Sequence, residues 1–224
     1  MNQLLSGNEA IARGAYEYGV KVATAYPGTP STEILENVVK YKEDIYCEWA
    51  PNEKVAMEVA IGSAFGGVRS LVAMKHVGLN VAADPFMTLT YTGVNGGLVI
   101  VSADDPSMHS SQNEQDSRHY ARFAKIPLVE PADSQEAKDY VGHALDISEK
   151  FDTPVLLRTT TRISHAQTVV ELGEREEKPT PEKFEKDPEK YVMTPAHAKK
   201  RHPIVEKRLQ DVEEFANECE LNRF

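Results

Sequence analysis

Cysteine is nearly absent: Cys47 and Cys219 are the only two in 224 residues. Neither stands in a CxxC-type cluster, so this chain alone builds neither an iron–sulfur site nor a structural zinc site. The pair allows at most one disulfide. Nothing near the N-terminus resembles a secretory signal, so a reduced, cytoplasmic setting is expected. Long apolar runs are missing as well. None approaches the ~20 residues that a bilayer-spanning helix needs, and no membrane partner is expected. Basic residues are in deficit, 25 Lys and Arg against 35 Asp and Glu, for a net charge of -10. Gripping a nucleic-acid backbone takes a cationic surplus, so that role is excluded as the main one. There is no nucleophile elbow and no metal-type histidine spacing. The Gly93-Val94-Asn95-Gly96-Gly97 stretch precedes a strand and is therefore a turn, not a dinucleotide fingerprint.

What is present is a 41% hydrophobic chain with alternating helix and strand patterns to about residue 166. Strands are expected at Val20–Tyr26, Ile45–Trp49, Arg69–His76, Gly97–Ala103, Leu128–Glu130 and Pro154–Thr159. The run GGLVIVSA reads as a strand covered on both faces. Helices are expected at Glu9–Tyr18 (capped by Ser6 or Asn8), Thr32–Tyr41 (capped by Ser31), Glu53–Phe65 (capped by Asn52), Asn80–Tyr91 and Gln115–Ala124. A last, long one, capped by Ser134, ends at Phe151. Six strands separated by helices predict an α/β fold, a doubly wound parallel sheet. Residues 1–168 form the expected domain. Residues 169–224 are expected to be a charged linker and helical extension, with an amphipathic helix at Arg201–Asn217, leading into a missing region. Asn222-Arg223-Phe224 brings no evident closing element.

Two loops stand out because each follows an apolar strand and opens a helix, the junction where open α/β sheets bind ligands. Tyr26-Pro27-Gly28-Thr29-Pro30-Ser31-Thr32-Glu33 offers hydroxyls and helix-start amides to an anion. Its Thr29 can touch a carboxylate; equally, Pro27, Gly28 and Pro30 define a turn and the hydroxyls cap a helix. Asn52-Glu53 presents a carboxylate at a helix start, and the plain alternative is a first-turn glutamate stabilised by the helix dipole. Glu48 and Glu58 compete with it; Glu58, inside the helix, reads as solvated or paired. His76, in the turn Lys75–Asn80, can assist proton transfer or simply make one strand-end hydrogen bond. Arg118 offers a planar clamp for a carboxylate, or pairs with Glu114 or Asp116. Ser107, Ser110, Ser111 and Asn113 form a polar loop that lines an entrance or faces water.

The motifs LLSGNEAIARGAYEYGVKVATAYPGTPSTEI, EWAPNEKVAMEVAIGSAFGG, MKHVGLNVAADPFMTLTYTGVNGGLVIVSADDPSMHSSQNEQDSR and KIPLVEPADSQEAKDY cover roughly residues 4–165. Together they resemble the pyrimidine-binding domain of thiamine-diphosphate-dependent 2-oxoacid:ferredoxin oxidoreductases, nearest to the alpha subunit of their indolepyruvate-oxidising branch. The resemblance implies that Glu53 hydrogen-bonds the aminopyrimidine ring of the cofactor beside the Pro27–Gly28 loop. It also implies that Thr29 and Arg118 face the substrate carboxylate, with His76 at the site edge. The parent enzyme would oxidatively decarboxylate an aryl 2-oxoacid such as indolepyruvate, passing electrons to ferredoxin and the acyl group to coenzyme A. The runner-up is a subunit of a non-oxidative decarboxylase of the sulfopyruvate or phosphonopyruvate type.

In such enzymes the diphosphate and its Mg²⁺ sit in a second domain marked by Gly-Asp-Gly. No Gly-Asp-Gly occurs in this chain, nor do ferredoxin-type cysteine clusters. The expectation is therefore half an active site, inactive alone. It would need a diphosphate-binding domain and a second subunit within a homo- or hetero-oligomer, where the Mg²⁺ and iron–sulfur clusters are held elsewhere.

Overall fold

Val99 and Val101 point to one side of their strand and Leu98 and Ile100 to the other, and all four are fully buried. That requires helices on both faces, and the computed structural model, which describes residues 1–222, provides them. Six parallel strands form the sheet: β2 (Val22–Ala25), β3 (Tyr46–Trp49), β4 (Ser70–Lys75), β5 (Leu98–Asp104), β6 (Leu128–Val129) and β7 (Val155–Thr160), in the order β3-β2-β4-β5-β7-β6. On one face α1 (Gly7–Glu17), α2 (Thr32–Val38) and α7 (Ser134–Phe151) bury Ile11, Leu35 and Leu145 over Leu71, Val99 and Val155. On the other, α3 (Glu53–Phe65), α4 (His76–Val81), α5 (Ala83–Thr92) and α6 (Arg118–Ala124) bury Met57, Leu79, Phe86 and Ala121 over Val72, Ile100 and Leu156. The doubly wound sheet is as expected.

The chain runs from β2 outward to the edge strand β3, then back past β2 to β4. Crossovers therefore diverge between β2 and β4, which opens a crevice at the carboxyl ends of these two strands. Alanines at 56, 60 and 64 let α3 lie close against the sheet.

Local departures from expectation have local causes. Lys75–Asn80 is not a turn: Lys75 is extended and α4 begins at His76. The expected single helix at Asn80–Tyr91 is broken at Ala82. A helix continuous from His76 would hold Pro85 in its interior, where proline loses a hydrogen bond and clashes with the preceding turn. The break puts Pro85 in the first turn of α5. Asp133, not Ser134, caps α7, accepting the Glu136 N–H at 2.9 Å. Ser31 does not cap α2; its hydroxyl donates to the Gly28 carbonyl.

A second, two-stranded antiparallel sheet pairs β1 (Asn2–Ser6) with β8 (Gln167–Glu171), which follows the short α8 (Thr161–His165). The expected boundary between residues 168 and 169 falls inside β8. Beyond it the extension folds back through its cations. Arg175 donates to the carbonyls of Tyr16 and Val20 at the end of α1. After α9 (Pro188–Tyr191), α10 (Pro195–Glu218) sends Arg201 to the carbonyls of Tyr91 and Thr92 and Arg208 to that of Thr90, at the end of α5. Cations at helix carboxyl termini satisfy orphaned carbonyls and complement the dipole. Positions 223 and 224 of the expected extension lie outside the described residues. No helix among the described residues is long and apolar enough to cross a membrane.

Candidate functional site

The loop after β2 is held rigid by its own polar groups. Gly28 N–H donates to Thr32 Oγ1 at 2.8 Å, Ser31 N–H donates to Gly28 O at 2.8 Å, and Asn8 Nδ2 reaches in from α1 to Pro30 O at 2.7 Å. These bonds leave Tyr26, Pro27 and Thr29 exposed at the crevice. The Thr29 hydroxyl has no partner among the described residues. Gly28 lies beneath Lys75: a methyl group built on it would be 3.0 Å from Lys75 Cδ and 3.1 Å from Cγ.

Glu53 is the first residue of α3, set there by Asn52, whose side chain accepts the Val55 N–H at 2.9 Å. It is only 9% exposed, and its carboxylate has neither a hydrogen bond nor an ion pair among the described residues. The competitors differ on both counts. Glu58 is exposed and pairs with Lys54; the half-buried Glu48 accepts a hydrogen bond from Tyr46. The residue is largely covered while its carboxylate oxygens still reach solvent, so the carboxylate stays open to a donor from outside the chain. The α3 amino terminus favours its charge. The carboxylate rests on Gly78 of α4, where an added methyl group would stand 2.7 Å from Glu53 Cγ and 2.7 Å from Oε1. Gly78→Ala should therefore push Glu53 out of place. Activity of the assembled enzyme is expected to fall by more than the modest stability loss of about 1–3 kcal/mol typical of overpacking. Kinetics beside urea unfolding would check this.

His76 is 1% exposed at the start of α4, with Nε2 3.1 Å from the Asn113 carbonyl. That carbonyl requires a proton on Nε2, and the buried Nδ1 has no partner. Arg118 is exposed and turned onto Asp116, with Nε 2.9 and 3.1 Å from its two oxygens and Nη2 2.7 Å from one. Arg118 thereby holds the Asp116 carboxyl down at about 2, against the opposing effect of burial. Glu53 against Gly78 thus forms one wall of the crevice, with His76 buried behind it, and the Gly28–Lys75 contact forms another, while Arg118 sits neutralised at the start of α6.

That loop is anchored by two adjacent aspartates. Asp104 accepts from the Ser117 N–H and hydroxyl and from Arg158 Nε. Asp105 accepts from the N–H groups of His109 and Ser110 and the hydroxyls of Ser111 and Thr161. Burial alone would raise the Asp105 pKa; these donors outweigh it and lower it from 3.8 to about 2. A lowered folded-state pKa stabilises above the unfolded value and is lost as protonation sets in. Stability should therefore fall between about pH 4 and about pH 2, and Asp105→Asn should flatten that segment relative to the parent in urea unfolding stepped through pH.

Sequence reading placed the Lys75–Asn80 segment at the site edge but gave Lys75 and Gly78 no role, and it did not single out the Asp104–Asp105–Arg158 set. The Asp-Asp pair followed by Ser-rich sequence was the available signal. The role of Gly78 has none, because it depends on a contact 25 residues away. Among the described residues no group of three or more His, Cys, Asp or Glu side chains is placed to hold a metal ion.

A family model described as "Pyruvate flavodoxin/ferredoxin oxidoreductase, thiamine diP-bdg" matches residues 13–218. The chain is 52% identical to the indolepyruvate oxidoreductase subunit IorA of Archaeoglobus fulgidus, over 97% of this chain and 36% of that protein. It is 53% identical to the subunit of the same name in Methanothermobacter thermautotrophicus, over 98% and 36%. A 2-oxoglutarate synthase subunit KorA from the latter organism is 27% identical over 76% of this chain and 48% of that protein. Among solved structures, a 2-oxoglutarate:ferredoxin oxidoreductase from Magnetococcus marinus superposes with a TM-score of 0.76 at 15% identity, covering 96% of this chain and 45% of that one. At that identity the superposition speaks for the fold alone. The chain spans about a third of the length of the curated relatives most similar to it.

Proposed function

Because the chain belongs to the thiamine-diphosphate-binding family of pyruvate flavodoxin/ferredoxin oxidoreductases, we propose that it supplies the pyrimidine-side half of an active site that oxidatively decarboxylates an aryl 2-oxoacid, indolepyruvate, with ferredoxin as electron acceptor and coenzyme A as acyl acceptor. The observation that carries this reading is Glu53, a largely covered residue at a helix start whose carboxylate has no partner among the described residues and stays open to the crevice. A protonated ring nitrogen is the kind of donor such a group lacks, so the site fits the aminopyrimidine of thiamine. The bound cofactor supplies the nucleophilic carbon and the electron sink that the chain's own side chains cannot.

Glu53 holds a proton-sharing contact to that ring, with Gly78 keeping the space beside the carboxylate clear. Pro27 and Gly28 present the loop that the cofactor lies against. The Thr29 hydroxyl donates to the substrate carboxylate, and His76, whose Nδ1 has no partner in the chain, assists at the site edge. Arg118, held on Asp116, would have to break that pair before it could join them. On this reading residues 1–168 are the pyrimidine unit and 169–224 its charged extension. The diphosphate, Mg²⁺ and iron–sulfur clusters belong to other parts of an oligomeric, cytoplasmic enzyme with a second subunit. The names of the most similar relatives support the oxidative reading over a sulfopyruvate-type decarboxylase.

The test is indolepyruvate-dependent viologen reduction by the full-length protein assembled with its partner subunits. Turnover should require thiamine diphosphate and coenzyme A together. Release of carbon dioxide with no electrons reaching the viologen would move the assignment to the non-oxidative class.

A further inference from the structure

Arg118, the cation expected to meet the substrate, is already paired, and a different cation stands unpaired at the crevice. Lys75 ends β4 in register with Ala103 of β5, on the β4 side of the crevice. Its stem crosses Gly28, and its ammonium reaches the loop after β5, donating to the Ser110 carbonyl at 3.0 Å. Lys75 thus bridges the two loops that flank the substrate position. No carboxylate within the described residues forms an ion pair with it. Asp105, which holds the same Ser110 through its N–H, has its oxygens taken by four donors. An ammonium has three N–H donors, and one neutral carbonyl uses only one.

We propose that Lys75, rather than Arg118, is the cation that recognises the carboxylate of the 2-oxoacid, acting with the free Thr29 hydroxyl of the adjoining loop. This rests on the 2-oxoacid reading above and names the residue that reads the acid group. Two physical points favour it. Arg118 and the ionised Asp116 form a pair with no net charge, so recruiting Arg118 costs the breaking of a bidentate contact. Lys75 gives up only a single exposed hydrogen bond to a backbone carbonyl, and its half-buried stem is held over Gly28, so its charge is already aimed at the crevice.

The experiment is steady-state kinetics of the thiamine-loaded, fully assembled enzyme, with Lys75→Met, Lys75→Arg and Arg118→Met as variants. In Lys75→Met the KM for indolepyruvate should rise at least about tenfold, the scale of one lost charge-assisted hydrogen bond, with kcat little changed. Lys75→Arg should recover most of the loss, and Arg118→Met should raise KM by clearly less than Lys75→Met does. Competitive inhibition adds a readout that a merely structural lysine would not move. The parent should prefer indole-3-propionate over its primary amide, and Lys75→Met should lose that preference. If the parent enzyme oxidises indolepyruvate while Lys75→Met keeps both KM and the inhibitor preference, or if Arg118→Met carries the KM effect instead, the Lys75 assignment fails alone. If the parent oxidises no 2-oxoacid, the functional reading fails and this inference goes with it.

Discussion

Glu53→Gln is expected to abolish turnover of the assembled enzyme, lowering kcat by about a thousandfold, within the range for losing a positioned proton-transfer group. Gln keeps the size of the side chain, so it fills the same space against Gly78 and at the head of α3. It removes the negative charge and replaces one acceptor with a donor. The amide oxygen can still accept from a ring N–H, but a neutral amide can neither take up nor return the shared proton. Stability should not suffer, because the carboxylate has no hydrogen bond or ion pair within the described residues to lose. The carboxylate oxygens still reach solvent, so little desolvation cost is relieved either. Urea unfolding of the variant should thus match the parent. Glu58→Gln, on the exposed face of the same helix, is the control and should leave kcat unaltered. Full activity in the Glu53→Gln variant would falsify the assignment. Loss of activity together with a large loss of stability would make Glu53 a folding residue.

The largest expected change in stability comes from the other end of the crevice, at Arg158→Met. Asp104 is wholly buried and Arg158 nearly so, and their contact is 2.7 Å. Met fills much of the arginine's volume but leaves the Asp104 charge without its cation. Breaking a buried pair by removing one partner costs about 3–5 kcal/mol, more than the intact pair contributes. Ser117 would still donate to Asp104, so the loss should stay within that range. The double variant Asp104→Asn, Arg158→Met removes the orphaned charge while the Asn oxygen can still accept from Ser117, and should recover a good part of the stability. A double-mutant cycle in urea isolates the coupling. If the single variant unfolds with the parent's midpoint, the pair is not what anchors this loop. If it behaves as expected, the loop carrying Ser110 and Asn113, which leads into α6, should also loosen. Indolepyruvate KM would then rise even though Arg158 lies off the proposed substrate position.

The outline of the fold was readable because its causes are periodic and short-ranged. GGLVIVSA could only be a strand buried on both faces, and the bond from Asn52 to the Val55 N–H is a three-residue signal that the structure repeats. The break at Ala82 was also legible in principle, through Pro85. β8 was not. Of its ten residues, the β1–β8 pair buries only Leu5 and Val170, and the sequences NQLLS and QTVVE do not alternate apolar with polar as a half-buried strand would. The docking of the extension was hidden for a related reason. Arg175, Arg201 and Arg208 bind backbone carbonyls of helix ends far away in sequence, and a charged, proline-rich stretch looks the same whether its arginines face water or such carbonyls.

The amino-acid sequence alone determined the alternation of strands and helices, the doubly wound sheet, and the placing of Glu53, Thr29 and His76 at strand ends, since apolar periodicity and capping act within a few residues. Only the tertiary structure decided that Glu53 is buried and unpartnered against Gly78, that Asp116 occupies Arg118, and that Lys75 spans the two loops. Burial and pairing depend on which residues distant in the chain meet when the crossovers diverge, and no local pattern encodes those meetings.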